Sequence, residues 1–147
     1  MQGEPIVILL VGDDPSHAEI VMRNFKDSRI ANRVIHVSDG QEALDYLYRR
    51  DAYSQPDSSP RPGVVLLDLR LPKIDGLEVL KTVKEDSNLK NIPVVVLTTS
   101  NAETDIAKAY NNCANSYLVK PVDFQQFSKL LEAIGFYWLA WNQHPSI

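Results

Sequence analysis

Acidic, hydroxyl and basic side chains stand directly behind short apolar runs of this sequence. Gly12-Asp13-Asp14 follows Ile6–Val11, Asp68 follows Val64–Leu67, Thr98-Thr99-Ser100 follows Val94–Leu97, and Lys120-Pro121 follows Tyr117–Val119. Carboxylates gathered in a solvent-accessible cleft suit a hard divalent cation such as magnesium. An aspartate beside such an ion is a nucleophile toward phosphorus and forms an acyl phosphate. Phosphoryl transfer asks mainly for charge neutralisation and positioning. The metal, the Lys120 ammonium and the Thr98 hydroxyl would together hold the phosphoryl oxygens. Asp68 is the best nucleophile candidate because it ends the most central run, Val64-Val65-Leu66-Leu67. Taken alone, an aspartate behind a strand is usually a turn or a helix cap. The joint placement is what that plainer role leaves unexplained.

These residues meet only if the runs are neighbouring parallel strands, because ligands bind outside the carboxyl ends of an open parallel sheet. Five runs qualify: Ile6–Val11, Val34–Val37, Val64–Leu67, Val94–Leu97 and Tyr117–Val119. Three of them are unbroken apolar stretches, the pattern of strands buried on both faces. Helical patterns lie between and after them. Ala18, Val21, Met22 and Phe25 share one face, behind an Asp14-Pro15 start that supplies an N-cap and a proline in the first turn. A second helix starts at Asp39 and carries Ala43, Leu44 and Leu47; a third carries Leu77, Leu80 and Val83; a fourth carries Ile106, Ala109 and Tyr110. The fifth follows Asp123, with Phe124, Phe127, Leu130, Leu131 and Ile134 inward. Strand alternating with helix makes the class α/β, a parallel sheet covered on both sides. The Pro- and Ser-rich stretch from Asp51 to Gly63 is expected to be a mobile surface loop.

Composition narrows the function. The chain has 147 residues and a formal charge of −4, enough for one domain with its own core. Mild acidity argues against a general nucleic-acid binder. The single cysteine, Cys113, excludes a disulfide framework and a Cys-rich zinc site, and is expected to be a small packed residue. His17, His36 and His144 share no metal-ligand spacing and are expected to be structural or exposed. The first residues lack the features of a signal peptide, and the Ile6–Val11 run is far too short to span a bilayer. A cytoplasmic protein without membrane contact is the expectation.

The motifs Ile8-Leu9-Leu10-Val11-Gly12-Asp13-Asp14, Leu66-Leu67-Asp68-Leu69-Arg70-Leu71-Pro72-Lys73-Ile74-Asp75-Gly76, Thr98-Thr99-Ser100 and Tyr117-Leu118-Val119-Lys120-Pro121 together carry a resemblance. Over residues 5–134 the sequence resembles the receiver domain of two-component response regulators. The resemblance implies a flavodoxin-like, doubly wound sheet of strand order 2-1-3-4-5. It implies that Asp68 accepts a phosphoryl group from a histidine kinase, with Thr98 and Lys120 completing the catalytic set. Asp13, Asp68 and the backbone carbonyl of Arg70 would hold Mg2+ or another divalent cation. Thr98 and Tyr117 match the switch residues, and Arg70 and Ser100 flank the acyl phosphate. The Lys120–Pro121 bond is expected to be cis.

One departure matters. The family places two successive acids before the first helix, and Gly12 occupies the first of those positions. Fewer charges offset the ion's dehydration, so metal binding should be weak while phosphorylation persists. Asp14, mainly a helix cap, would offset part of the loss through a bridging water. Two other readings compete. An aspartyl-nucleophile phosphatase of the haloacid-dehalogenase type needs an acid two residues beyond the nucleophile, where Arg70 stands. A phosphorylation-independent interaction module would have no need of Asp68, Thr98 and Lys120 together. No enzyme activity beyond slow self-dephosphorylation is expected.

Residues 135–147 form an extension containing Phe136, Tyr137, Trp138 and Trp141. Aromatic patches of this kind mark association sites. Single-domain receivers that serve phytochrome-type kinases are similar in their long loop before the third strand and in this aromatic end. The resemblance implies a bacteriophytochrome as the kinase and a homodimer through the fifth helix and tail.

Overall fold

The apolar runs become strands. The computed structural model describes residues 6–27, 32–121 and 123–135. Its strands are β1 (Ile6–Val11), β2 (Asn32–Val37), β3 (Val64–Leu67), β4 (Val94–Thr98) and β5 (Ser116–Val119), all parallel in the order β2-β1-β3-β4-β5. The helices are α1 (Pro15–Lys26), α2 (Gly40–Tyr48), α3 (Gly76–Glu85), α4 (Glu103–Asn111) and α5 (Phe124–Gly135). The doubly wound class and its strand order are as expected.

Alternate residues of the central strands face opposite layers. Ile8, Leu10, Val64, Leu66, Val95 and Leu97 pack under α1 and α5, while Leu9, Val11, Val65, Leu67, Val94 and Val96 pack under α2, α3 and α4. Because β1 lies between β2 and β3, the chain leaving β1 and the chain leaving β3 diverge to opposite faces. That divergence opens a crevice at the carboxyl edge. Gly76 fixes the far wall of the crevice. A Cβ there would lie 2.3 Å from the Asp68 carbonyl oxygen, so only glycine lets α3 start this close to the end of β3.

Several outward details differ from the sequence expectation. Met22 and Tyr110 are exposed rather than inward, and the buried face of α4 is Asp105 with Ala109. Periodicity places a residue within about a quarter turn of a face and does not choose its edge. Cys113 is exposed, with a φ of 68°, because it sits in the turn that ends α4. The Lys120–Pro121 bond is trans, the form X–Pro bonds ordinarily prefer. The side chain of Phe124, the tail from 136 to 147 and His144 lie outside the described residues. No helix among the described residues is long and apolar enough to cross a membrane.

The stretch from 51 to 63 is braced by hydrogen bonds. It contains two 3-10 turns, Asp51–Tyr53 and Pro56–Ser58. Buried Ser59 donates to the Tyr53 and Gln55 carbonyls, Arg49 donates to Ser59, and Arg61 donates to the Leu47 carbonyl. The Tyr46 hydroxyl donates to the Pro60 carbonyl, and the Tyr53 hydroxyl donates to Glu42. Turn-forming composition hides this, because Glu42, Tyr46 and Leu47 of α2 and Arg49 behind it supply partners from outside the segment. Burial pushes the Tyr46 phenol up to about 12. Its protonated form is therefore favoured in the fold, so stability falls as pH rises from about 10, where the unfolded phenol ionises, toward about 12. Tyr46→Phe should cost about 1 kcal/mol at neutral pH and shallow that alkaline decline, as read by urea unfolding across pH.

Candidate functional site

Asp68 is the first residue past β3, and its N–H donates to the Val11 carbonyl at 2.9 Å, which ties it to the end of β1. Thr98, wholly buried, is the last residue of β4 and its hydroxyl donates to Asp68 Oδ1 at 2.8 Å. Lys120 follows β5, where its N–H donates to the Thr98 carbonyl. Its ammonium donates to Asp68 Oδ2 at 3.1 Å, with side chains only 7% and 14% exposed. The Arg70 N–H adds a third donor, to Asp68 Oδ1 at 3.2 Å. One carboxylate thus carries a hydroxyl, an ammonium and a backbone amide on its two oxygens. Three donors around one oxygen pair are also what a phosphoryl group on that carboxylate would require.

Asp13 is exposed on the same strand edge, one residue before the cap of α1. Asp14 is that cap: its Oδ1 accepts from the N–H groups of Ser16 at 2.9 Å and His17 at 3.3 Å. The His17 N–H bond holds the Asp14 carboxyl below its ordinary range, with lesser help from the Ser16 N–H and the Lys120 charge. Its main task is capping α1. At Gly12 no side chain enters the crevice, and a Cβ built there would meet only the Asp68 Cβ, at 3.9 Å. Among the described residues no group of three His, Cys, Asp or Glu side chains is arranged to hold a metal. A divalent ion would be held here by Asp13, Asp68 and the Arg70 carbonyl only with several waters completing its shell. Magnesium is commonly held this way, keeping several waters rather than sitting in a protein cage. Such an ion would supply positive charge to the transferring phosphoryl oxygens.

Tyr117 and Arg70 are joined by one chain of hydrogen bonds. Tyr117 is half-buried against the α2–α4 layer, and its hydroxyl donates to the Ser100 carbonyl at 2.8 Å. Ser100 in turn donates to Asp105 Oδ2 at 2.6 Å, and the Arg70 guanidinium donates to the same oxygen at 2.8 Å. Arg70 is therefore an ion-pair partner and not a free surface cation. Sequence reasoning missed Asp105, since an acid in the first turn of α4 reads as a solvated helix-start residue. The Asp105 side chain is only 11% exposed, so Arg70→Ala leaves a buried carboxylate with one hydroxyl donor. Since Arg70 itself is 67% exposed, the cost should be about 1–2 kcal/mol, seen as a lower urea midpoint at unchanged m value.

His17 was also missed. The structure places its ring at the site, with Nδ1 3.3 Å from the Lys120 ammonium, and stacks it edge-to-face on Phe127 of α5. His36 Nε2 donates to the Gly12 carbonyl at 2.7 Å and helps fix the turn after β1. Both histidines line a small cleft with Gly12, Asp14, Asp68 and Lys120.

A nucleophilic aspartate at the carboxyl edge of a doubly wound sheet, held by a hydroxyl and an ammonium, defines a phosphoryl-accepting α/β module. The comparisons agree. The response regulator receiver domain matches residues 8–132, and the chain belongs to that family, the receivers of two-component response regulators. Response regulator Rcp1 of Synechocystis sp. (strain ATCC 27184 / PCC 6803 / Kazusa) is 42% identical over 135 residues, covering 92% of this chain and 90% of that protein. The probable methanogenesis regulatory protein FilR2 of Methanothrix harundinacea (strain 6Ac) is 46% identical over 142 residues, 97% of this chain and 89% of that one. Among solved structures, Mn(2+)-bound Rcp1 superimposes with a TM-score of 0.92 at 40% identity, covering 97% of this chain and 100% of that one. The phosphorylated cyanobacterial phytochrome response regulator RcpA does so with a TM-score of 0.92 at 37% identity, covering 97% and 99%.

Proposed function

We propose that this receiver accepts a phosphoryl group on Asp68 from a phytochrome-type histidine kinase and signals through a change in its contacts. The observation that carries the kinase class is the match to the phytochrome response regulator RcpA across nearly the whole of both chains. In the transfer, an Asp68 carboxylate oxygen forms a bond to phosphorus while the phosphorus–nitrogen bond of the donor phosphohistidine breaks. The leaving imidazole nitrogen keeps that electron pair and takes up a proton. Lys120 and Thr98 already touch the two Asp68 oxygens, so each stands beside the place where phosphoryl oxygens arrive. The divalent cation binds weakly, since Gly12 removes one carboxylate from its surroundings. The protein works in the cytoplasm without nucleic acid and turns over no substrate beyond slow loss of its own phosphoryl group.

Phosphotransfer from purified kinases tests the partner. A phytochrome-type kinase should label the native chain within seconds to minutes and far faster than unrelated histidine kinases do; equal labelling by all would overturn the assignment. Similarity to FilR2 favours a second reading, in which a kinase of another sensory class is the donor, and the same panel reads it out.

We further propose a twofold homodimer through α5 and residues 135–147. The Phe127, Leu131 and Ile134 stripe of α5 is buried on the sheet, which leaves the opposite face of α5 to meet a second copy. Sedimentation should show a dimer for the full chain and a monomer for one ending at Gly135; two monomers would refute it.

A further inference from the structure

We infer that His17 is a positioning residue for Lys120, holding the ammonium at the place where it meets Asp68; the inference rests on Asp68 being the phosphoryl acceptor. His17 and Lys120 are 103 residues apart, yet their nitrogens, Nδ1 and Nζ, lie 3.3 Å from each other. An ammonium has three protons and no lone pair, so the imidazole must be the acceptor. Nδ1 also lies 3.6 Å from Asp14 Oδ2, a longer approach than the one to Lys120. The closer contact decides the tautomer: Nδ1 carries the lone pair and Nε2 the proton. Lys120 then stands between an anionic acceptor, Asp68 at 3.1 Å, and a neutral one, His17.

The geometry of His17 is itself fixed from several sides. It sits in the first turn of α1, where its N–H is bound by the Asp14 cap. Its ring packs edge-to-face on Phe127, with centroids 5.4 Å apart and planes at 63°. Phe127 is 3% exposed and belongs to the core under α1 and α5. The imidazole is therefore a rigid bracket that ties Lys120 to both helices of that face. A long, flexible lysine has many rotamers, and a second acceptor selects the one that reaches Asp68. Position matters at this site because misplacing a group by about 1 Å costs as much as a hundredfold in rate.

Two substitutions separate the acceptor from the ring. His17→Phe keeps an aromatic ring against Phe127 and removes the acceptor. His17→Asn keeps an acceptor near the Nδ1 position and removes the ring. Phosphorylation of the full chain by acetyl phosphate and magnesium, followed by intact-protein mass spectrometry, gives the rate. His17→Phe should slow it about five- to tenfold, the loss expected for one ordinary hydrogen bond, and His17→Asn should recover most of that rate. In a Lys120→Met background, His17→Phe should have no further effect, because the group it positions is gone. A native rate for His17→Phe, equal losses for Phe and Asn, or an undiminished loss in the Lys120→Met background would each overturn the assignment. Absence of any Asp68 adduct on the native chain would instead overturn the acceptor reading beneath it.

Discussion

Asp68→Asn abolishes phosphoryl acceptance and also lowers stability. An amide has no anionic oxygen to attack phosphorus, so mass spectrometry after acetyl phosphate and magnesium should show one adduct on the native chain and none on the variant. The stability effect follows from the site's charge arrangement. Asp68 and Lys120 are nearly buried and 3.1 Å apart, and Gly12 brings no further acid side chain into the crevice. Asp68 is thus a paired anion here, and its neutralisation strips Lys120 of its charged partner. The Asn amide nitrogen would also turn a donor toward the ammonium, or else toward the Thr98 hydroxyl and the Arg70 amide. A buried cation without its anionic partner should cost about 1–3 kcal/mol, measured as a shift in urea midpoint. An adduct on Asp68→Asn elsewhere in the chain would sink the acceptor assignment. A variant more stable than the native chain would show that repulsion with Asp13 outweighs pairing with Lys120.

Gly12→Glu tightens divalent-metal binding by on the order of tenfold or more, the scale of effect that carboxylates around a metal site carry. The position tolerates the change. Its φ lies outside the left-handed region, and the added Cβ meets one atom at ordinary contact distance. The His36 bond to the Gly12 carbonyl uses only backbone there and survives the substitution. The new carboxylate would face a cleft already lined by Asp14 and Asp68, so in the absence of metal it adds repulsion and lowers stability slightly. Magnesium should reverse that loss by mass action. The readout is the magnesium concentration giving half-maximal phosphorylation by acetyl phosphate, native against variant. Superimposable titrations would show that Gly12 has no bearing on metal affinity.

Much of this site was legible before the fold. Asp68, Thr98 and Lys120 each stand directly behind an apolar run, and a parallel sheet brings such positions to one edge. The capping role of Asp14 was legible because caps are local, decided by the next three residues. Asp105, by contrast, has the sequence signature of a solvated acid, and its burial depends on Arg70 and Ser100 arriving from two other loops. The bracing of the segment from 51 to 63 was hidden for the same reason, since its Pro and Ser residues promise turns while Tyr46 of α2 and Arg49 behind it provide partners.

By itself, the sequence determined which residues are strands, which carboxylate ends the central strand and what chemistry its neighbours permit. Hydrophobic period and strand-end chemistry are encoded within a few residues of one another. Only the tertiary structure decided that His17 meets Lys120 across 103 residues and that Arg70 is held by Asp105. Those contacts depend on how α1, α4 and the loops after the strands pack against the sheet. A polar side chain carries no local mark of which distant partner will bury it.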